Sequence, residues 1–321
     1  MTIKIGKVIL SRKGFDSGEK AGGDYSRVDP VTRRYILIPI PETEDSSKIY
    51  KYEDLRVAPN YLSDINAHNL KDLIFNPKLG MNKKARDSAN GYAHFDPWLG
   101  PCPWMDKNDP LNPSIGAFGQ QDAPLGHLRK QDVLKDIGEG RLFLFFSRFK
   151  RLDKNATNPL KIHPNGSYFI YGWLKVDEII DDINKLDINV EKELRIKKHP
   201  HLYSPKTEKN KIFLGAKWLD EEKTIRGYGY FRELDEKLRL SKLGDNPNIW
   251  ELPEFFYRGN PKELLSRLKS KKWSISNNRA IMDQLKGNGQ EFVFNASLAQ
   301  EKFNEWLIND LVPLMQKEIG I

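Results

Sequence analysis

Leu142-Phe143-Leu144-Phe145-Phe146 is an uninterrupted run of five apolar residues, introduced by Gly138 and Gly140, and no other segment limits the fold as tightly. An apolar run without alternation fits a strand covered on both faces. After a polar loop, Tyr168 to Val176 reads as a second strand with Gly172 in its middle. Glycine inside a strand marks a bulge or a tight bend, as in small barrels. Lys211 to Ala216 and Gly227 to Phe231 supply two further strand candidates, and Val8-Ile9-Leu10 and Tyr35 to Ile38 add β-type runs near the N-terminus. The absence of strand–helix alternation and of a Gly-x-Gly-x-x-Gly run speaks against a doubly wound nucleotide fold. The expected class is α+β: a mixed, partly barrel-like sheet with surrounding helices and long ordered loops.

Helical signals lie at the margins. Leu62, Ile65, Leu70, Leu73 and Ile74 share a helical face between Tyr61 and Phe75, with Pro77 as the stop. From Asn76 to Pro124 the chain is rich in Pro, Gly and Asn, yet its aromatics predict ordered loops lying on a core. Near the end, Ser297 and Gln300 form a capping-box pattern, and Phe303, Leu307, Leu311 and Leu314 recur at helical spacing. Pro313 is expected to kink or end that helix, and Pro261 to Lys271 is a weaker helix. This divides the chain into an α+β domain over residues 1–258 and a helical extension over 259–321, packed on the core.

Composition narrows the functional classes. Hydrophobic residues at 39% of 321 support a substantial core. The longest apolar run is five residues, against the ~20 a bilayer span needs, so no membrane association is expected. Met1 to Leu10 lacks the apolar stretch of a secretory leader. The single cysteine, Cys102, rules out an internal disulfide and a multi-thiolate zinc site, and a reducing cytoplasm is the expected location. The 52 basic and 44 acidic residues leave a net charge of +8, a mild bias toward polyanions.

Three groups of residues carry chemistry. Ser11-Arg12-Lys13-Gly14-Phe15-Asp16-Ser17 follows a strand and offers a hydroxyl, two cations and a glycine turn, suited to phosphate; the alternative is a surface turn with solvated cations. Four of the six histidines, His94, His127, His199 and His201, lie in polar, turn-rich settings. With Asp96 they suit proton transfer near neutral pH or binding of Zn²⁺ or Fe²⁺, and separate histidines capping loops are the alternative. Basic and aromatic residues interleave at Arg148-Phe149-Lys150-Arg151, Arg195 to Lys198 and Lys269 to Trp273, a combination that attracts phosphate and stacks bases.

The chain resembles the third family of nucleotide-modification-associated domains of bacteria and phages. The matching stretches are Leu10 to Ser17, Ile38-Pro39-Ile40-Pro41, His94-Phe95-Asp96-Pro97, Phe118-Gly119-Gln120 and His127-Leu128. They continue through Leu142 to Phe146, Ile170 to Leu174, His199-Pro200-His201 and Trp250-Glu251-Leu252-Pro253, collinear over roughly residues 7–257. Gly140-Arg141 departs from the family's usual Gly-Asp pair. The resemblance implies a DNA base-modification or phage-defence setting without an assigned reaction. It also implies a polar cluster of Ser11, Arg12, Lys13, Asp16, His94, Asp96, Gln120, His127, His199 and His201. Separately, the hairpin of Leu142–Phe146 and Phe169–Val176 is similar to that of PUA- and EVE-like barrels, an analogy of fold alone.

The expected function is a module that binds or processes nucleic acid or nucleotides. Arg12 and Lys13 neutralise phosphate; Phe149, Tyr171 or Trp173 stacks on a base; His94, Asp96 and His127 read its edge or move protons. The alternative is a hydrolase or transferase on nucleotides or modified bases built on the histidines and Asp96, with a metal as one option.

Overall fold

The computed structural model describes residues 1–15, 24–42, 48–62, 65–135, 140–152, 160–180, 187–203, 210–257, 273–283 and 291–316. Asp16, Gly138 and the helix expected over 261–271 lie outside them.

The strands in chain order are β1 (Lys7–Arg12), β2 (Ser26–Val28), β3 (Tyr35–Ile36), β4 (Ile40–Glu42), β5 (Tyr50–Lys51), β6 (Tyr92–His94), β7 (Trp98–Leu99) and β8 (Gly116–Gln121). They continue with β9 (Arg141–Arg151), β10 (Ser167–Ile180), β11 (Asn210–Gly215), β12 (Tyr228–Tyr230), β13 (Ile249–Pro253), β14 (Trp273–Ser276), β15 (Arg279–Asp283) and β16 (Glu291–Asn295). The main sheet runs β16-β1-β9-β10-β11-β8-β7, with β12 added on β10 and β2–β3 on β9, and curls into a half-barrel. Two small sheets flank it, β13-β15-β14 and β4-β6-β5. The fold is α+β, as expected.

The central pair explains the shape. β9 lies parallel to β1 and antiparallel to β10, and Leu142 to Phe146 is fully buried on both faces. Phe143 and Phe145 pack with Phe118 and Phe213 on one face. Phe146 meets Tyr168 and Trp250 on the other. Two covered faces are why the run never alternates. In β10 the register slips between Ile170 and Gly172, a bulge that adds twist where the sheet curls. A side chain at Gly172 would collide with Leu99 on β7 and the Gly229 carbonyl on β12, so the glycine admits both neighbours.

Three sequence expectations change. Of Tyr61 to Phe75, only Leu70–Phe75 is α-helical (α1), because the Asn69 side chain accepts from the Asp72 amide and starts the helix there. Leu62 and Ile65 are buried from the preceding turns. Residues beyond 258 supply strands as well as helix: β15 pairs with β13 on one side and β14 on the other, and β16 lies antiparallel to β1 along Lys7–Ser11. The expected boundary at 258 is therefore crossed by the main sheet itself. At the C-terminus, a 3₁₀ turn at Ala296–Ala299 leads into an α-helix over Gln300–Trp306. A wide π turn at Leu307–Leu311 then passes into Val312–Gln316, so Pro313 is accommodated within a continuing helix. Gln300 hydrogen-bonds Asn304, and the residue that caps this helix is Ala299. Cys102 is a buried free thiol. Among the described residues, no helix is long and apolar enough to cross a membrane.

A buried ion pair anchors the N-terminal loops to the sheet. Arg27 donates to Asp24 at 2.9 Å and to the Leu79 carbonyl at 2.8 Å. Asp24 also accepts from the Asn82 amide at 2.7 Å, at the start of a helix over Lys83–Ser88 (α2). Burial pushes the Asp24 carboxyl up, but Arg27 and the Asn82 and Tyr25 amides outweigh it and hold it below the usual carboxylate value.

Three outcomes are expected. Asp24→Asn leaves the Arg27 cation buried without its partner, which costs about 3–5 kcal/mol; urea unfolding measures it. Because the carboxyl is depressed, the pair's stabilisation is present above the unfolded value near ~3.9 and is lost as pH falls through the lower folded value. A chain ended at residue 258 loses β16 and bares the β1 edge, so it loses cooperative unfolding and becomes insoluble, checked by calorimetry and sedimentation against the full chain.

Candidate functional site

Two polar clusters form on opposite faces of β8. Successive strand residues point to opposite sides of a sheet. Phe118 and Gln120 face the interior of the half-barrel, and Gly119 faces the small sheet β4-β6-β5. Register fixes which residues of β11 join each face: Phe213 lies opposite Phe118, Ile212 opposite Gly119 and Asn210 opposite Gln121.

The outer cluster gathers three histidines and an aspartate. His94 ends β6, and Asp96 follows in a turn in which its amide donates to the His94 carbonyl at 3.0 Å. A helix over Ile188–Ile196 (α4) leads to Lys198 and then to His199, which precedes a 3₁₀ turn at Pro200–Leu202 carrying His201. Trp98 fixes the neighbourhood, with its indole donating to the Phe95 carbonyl and its ring edge against His199 at 4.6 Å. His94 Nε2 lies 3.2 Å from His201 Nε2, and these atoms stand 4.0 and 3.8 Å from Asp96 Oδ2.

Partners around the cluster set where each proton sits. Glu42 on β4 pairs across from Tyr92, diagonal to His94, and its carboxylate accepts from His94 Nδ1 at 2.6 Å. Asn210 donates its amide to the His201 carbonyl at 2.6 Å, which points its oxygen at His201 Nδ1, 2.7 Å away. Both Nδ1 atoms therefore carry the proton, and both Nε2 atoms present lone pairs. Asp96 Oδ1 accepts from the Gly119 amide at 3.0 Å. His199 Nε2 stands 3.2 Å from the same Oδ1 without the alignment of a hydrogen bond, and Asp96 Oδ2 is buried without a hydrogen-bond donor. Three lone pairs thus converge, and their atoms lie within 4.8 Å of one another.

Burial keeps this centre in one charge state. It drives the His201 imidazole down to about 3, beyond what neighbouring Asp96 restores, so the ring is neutral at pH 7. Burial alone raises the Asp96 carboxyl, but His199, His201 and His94 outweigh it and hold the group at about 2. Two imidazoles and one carboxylate form a donor set for a divalent ion or a path for a proton. Solvent reaches the cluster through His94, whose side chain is 16% exposed, while those of Asp96 and His199 are closed at 0%. A cavity of about 480 Å³ is lined by Tyr50, Arg56, Asp109 and Lys198 among others, neighbours of the cluster in the chain and the sheet and not the cluster side chains themselves. Tyr50 lies opposite Ala93, next to His94, and Lys198 directly precedes His199.

The inner cluster holds the N-terminal candidates. Lys13 reaches Gln120 at 3.4 Å and lies over the Phe118 ring at 4.8 Å. Gln120 donates to the fully buried Glu291, to which Ser11 also donates at 3.4 Å. Arg12 and Arg148 both lie over the Tyr168 ring, and Arg148 and Lys150 over Tyr25. Four cations thus stand at one end of β1 and β9.

The sequence candidates divide accordingly. His94, Asp96, His199 and His201 come together; Ser11, Lys13 and Gln120 form the second group, with Arg12 beside it. His127 lies half-buried on a helix over Asp122–Lys130 (α3), apart from the three converging ligand atoms. Phe149, Tyr171 and Trp173 need correction as stacking residues. Phe149 and Tyr171 are 0% exposed and Trp173 1%, each edged by other rings, so no face is left for a base. Glu42, Asn210 and Glu291 went unmarked in the sequence. Glu42 directly follows the Ile38–Pro41 stretch, and Asn210 stands two residues before Ile212 on the same face of β11; those are the only local signals.

The family model for nucleotide modification associated domain 3 matches residues 7–295. The match covers most of the chain, and the protein belongs to that family. It extends past residue 257 through β16, in keeping with the pairing of β16 and β1. No curated protein matches the chain. No solved structure matches it either, so the likeness to PUA and EVE barrels stays an analogy drawn from one hairpin.

Gly119→Ala tests how tightly the outer cluster is built. The added methyl would occupy the position of the His201 ring. We expect a loss of about 1–3 kcal/mol, as overpacking costs, with displaced His201 ring resonances. Thermal unfolding and histidine NMR measure the two effects.

Proposed function

We propose that the protein is an enzyme that processes nucleotides or nucleic-acid bases, with its working centre at His94, Asp96 and His201, in a cytoplasmic DNA-modification or phage-defence setting. The observation that carries the reading is the convergence of three lone pairs on one buried point, each ligand held from behind by a dedicated partner. Families that only hold a loop in place have no need of such an arrangement, because a capping histidine uses its nitrogens for the cap. The family places the chain beside nucleotide modification, and the net charge of +8 favours an anionic substrate.

In this reading Arg12, Lys13, Arg148 and Lys150 attract phosphate at the end of β1 and β9, and the cavity beside Tyr50 and Lys198 admits the reacting group toward His94. Ser11 and Gln120 position Lys13 through Glu291. Asp16 belongs to the same loop by sequence alone. His199 holds the Asp96 carboxylate in place. His127 plays no part in the centre.

Whether residues 1–258 form a folding unit apart from 259–321 is decided by the truncation above, and the pairing of β16 with β1 argues for one unit. A non-catalytic reader is the second reading, favoured by the three cations, Arg12, Arg148 and Lys150, gathered around Tyr25 and Tyr168. Purified protein incubated with mononucleotides, single-stranded DNA and duplex DNA, followed by mass spectrometry of the products, separates the two. The enzyme reading expects a changed nucleotide or base, its formation reduced at least about 100-fold in His94→Gln with binding retained. It also expects binding that weakens steeply with salt and in Arg12→Ala. Binding without chemical change in the presence of divalent metal leaves only the reader, and no binding at low salt overturns both.

A further inference from the structure

We propose that His94 Nε2, His201 Nε2 and Asp96 Oδ2 bind one divalent first-row transition-metal ion of the Zn²⁺ and Fe²⁺ class. This deepens the reading of the centre given above and rests on it for its role in turnover, but its coordination chemistry is tested without any nucleotide.

The distances suit one ion. Two imidazole nitrogens, each about 2.0–2.1 Å from a tetrahedral ion, stand ~3.3 Å apart; His94 and His201 stand at 3.2 Å. The Asp96 oxygen, at 3.8 and 4.0 Å, is a few tenths of an ångström beyond the ~3.4 Å that the same geometry gives. A small rotation about the end of the carboxylate closes that gap.

The surroundings suit a ligand set better than a proton relay. Metal-bound histidines donate their other nitrogen to a carboxylate or carbonyl, which fixes the tautomer. Here Glu42 does so for His94 and the Asn210 amide oxygen for His201. Asp96 is held through Oδ1 by the Gly119 amide, leaving Oδ2 aimed at the nitrogens. The two Nε2 atoms already face each other at 3.2 Å, and beside them a buried carboxylate oxygen has no donor. An ion satisfies all three atoms at once.

The donor types select the metal. Mg²⁺ and Ca²⁺ prefer sets made of oxygen, whereas two imidazoles favour Zn²⁺, Fe²⁺, Co²⁺ or Ni²⁺. Three protein ligands leave at least one position open, the pattern of sites that activate a bound molecule rather than of closed structural sites. With a dication the centre carries one net positive charge, which complements an anionic ligand.

The full chain, stripped by chelator, is titrated with Zn²⁺, Co²⁺, anaerobic Fe²⁺ and Mg²⁺. We expect one transition-metal ion per chain, none of Mg²⁺ at equal concentration, and an X-ray absorption spectrum of the Co²⁺ form that contains two imidazoles. Affinity falls at least about 100-fold in His201→Ala and Asp96→Ala, and about 10–100-fold in Glu42→Gln and Asn210→Ala. His68→Ala, at an exposed position far from the cluster in the sequence, binds as the parent does. The spectrum of the parent protein keeps the test valid if a variant misfolds. A folded parent that binds no stoichiometric transition metal, a spectrum without imidazole, or unchanged affinity in a folded His201→Ala overturns the proposal. Metal bound as described without any nucleotide change overturns the proposed enzyme and leaves this site standing. Nucleotide turnover undiminished after complete metal removal leaves the enzyme standing and overturns the ion's role in turnover.

Discussion

The Gly119 amide on Asp96 Oδ1 is the contact on which the rest of the centre depends. It joins a loop residue to the main sheet, and it occupies one carboxylate oxygen while leaving the other open. Glycine is required at that position for a second reason, since the His201 ring packs where a side chain would stand. One backbone position thus orients the acid by its N–H and admits the base by its missing Cβ. The half-barrel matters for function chiefly because it holds β8 and β11 rigidly enough to make both contacts at once.

The same strand separates two environments. Toward the interior, Gln120 ties Lys13 to the buried Glu291 on β16, which also accepts directly from Ser11. Toward the small sheet, Gly119 and Asn210 support the histidines. The last strand of the fold is therefore coupled to the N-terminal loop, and the N-terminal small sheet supplies Glu42 and His94. A centre built from β4, β6, β8, the β6–β7 turn and the 3₁₀ turn after α4 needs the whole fold to form, so the single-sheet architecture and the site are one design.

Much of this was legible in the residues themselves. The run from Leu142 to Phe146 gave a strand covered on both faces, and Gly172 marked the bulge, because both signals are local. The histidines and Asp96 were readable as chemistry because those residue types are scarce and sit in turns. Glu42 and Asn210 were not readable: each is a lone polar residue in a strand, and only strand register shows that it faces an imidazole. Phe149, Tyr171 and Trp173 misled for a related reason. Aromatics on a strand suggest a stacking face, but in a curled sheet with both sides packed no face is free. The strands after 273 escaped notice because their mixed, partly polar composition carries weak alternation, and their place is decided by pairing with β1 and β13. The early start expected for α1 failed against Asn69, whose capping oxygen outcompeted the apolar spacing before it.

The central claim is that partners on the far side of each ring leave the His94 and His201 Nε2 atoms as lone pairs aimed at Asp96. Nitrogen-15 NMR of the histidine side chains in metal-free protein, at a pH near ~9 where imidazoles are neutral, reads this directly. The account predicts that His94 and His201 are both protonated on Nδ1 while His199 is protonated on Nε2. A proton on Nε2 of either His94 or His201 would contradict it.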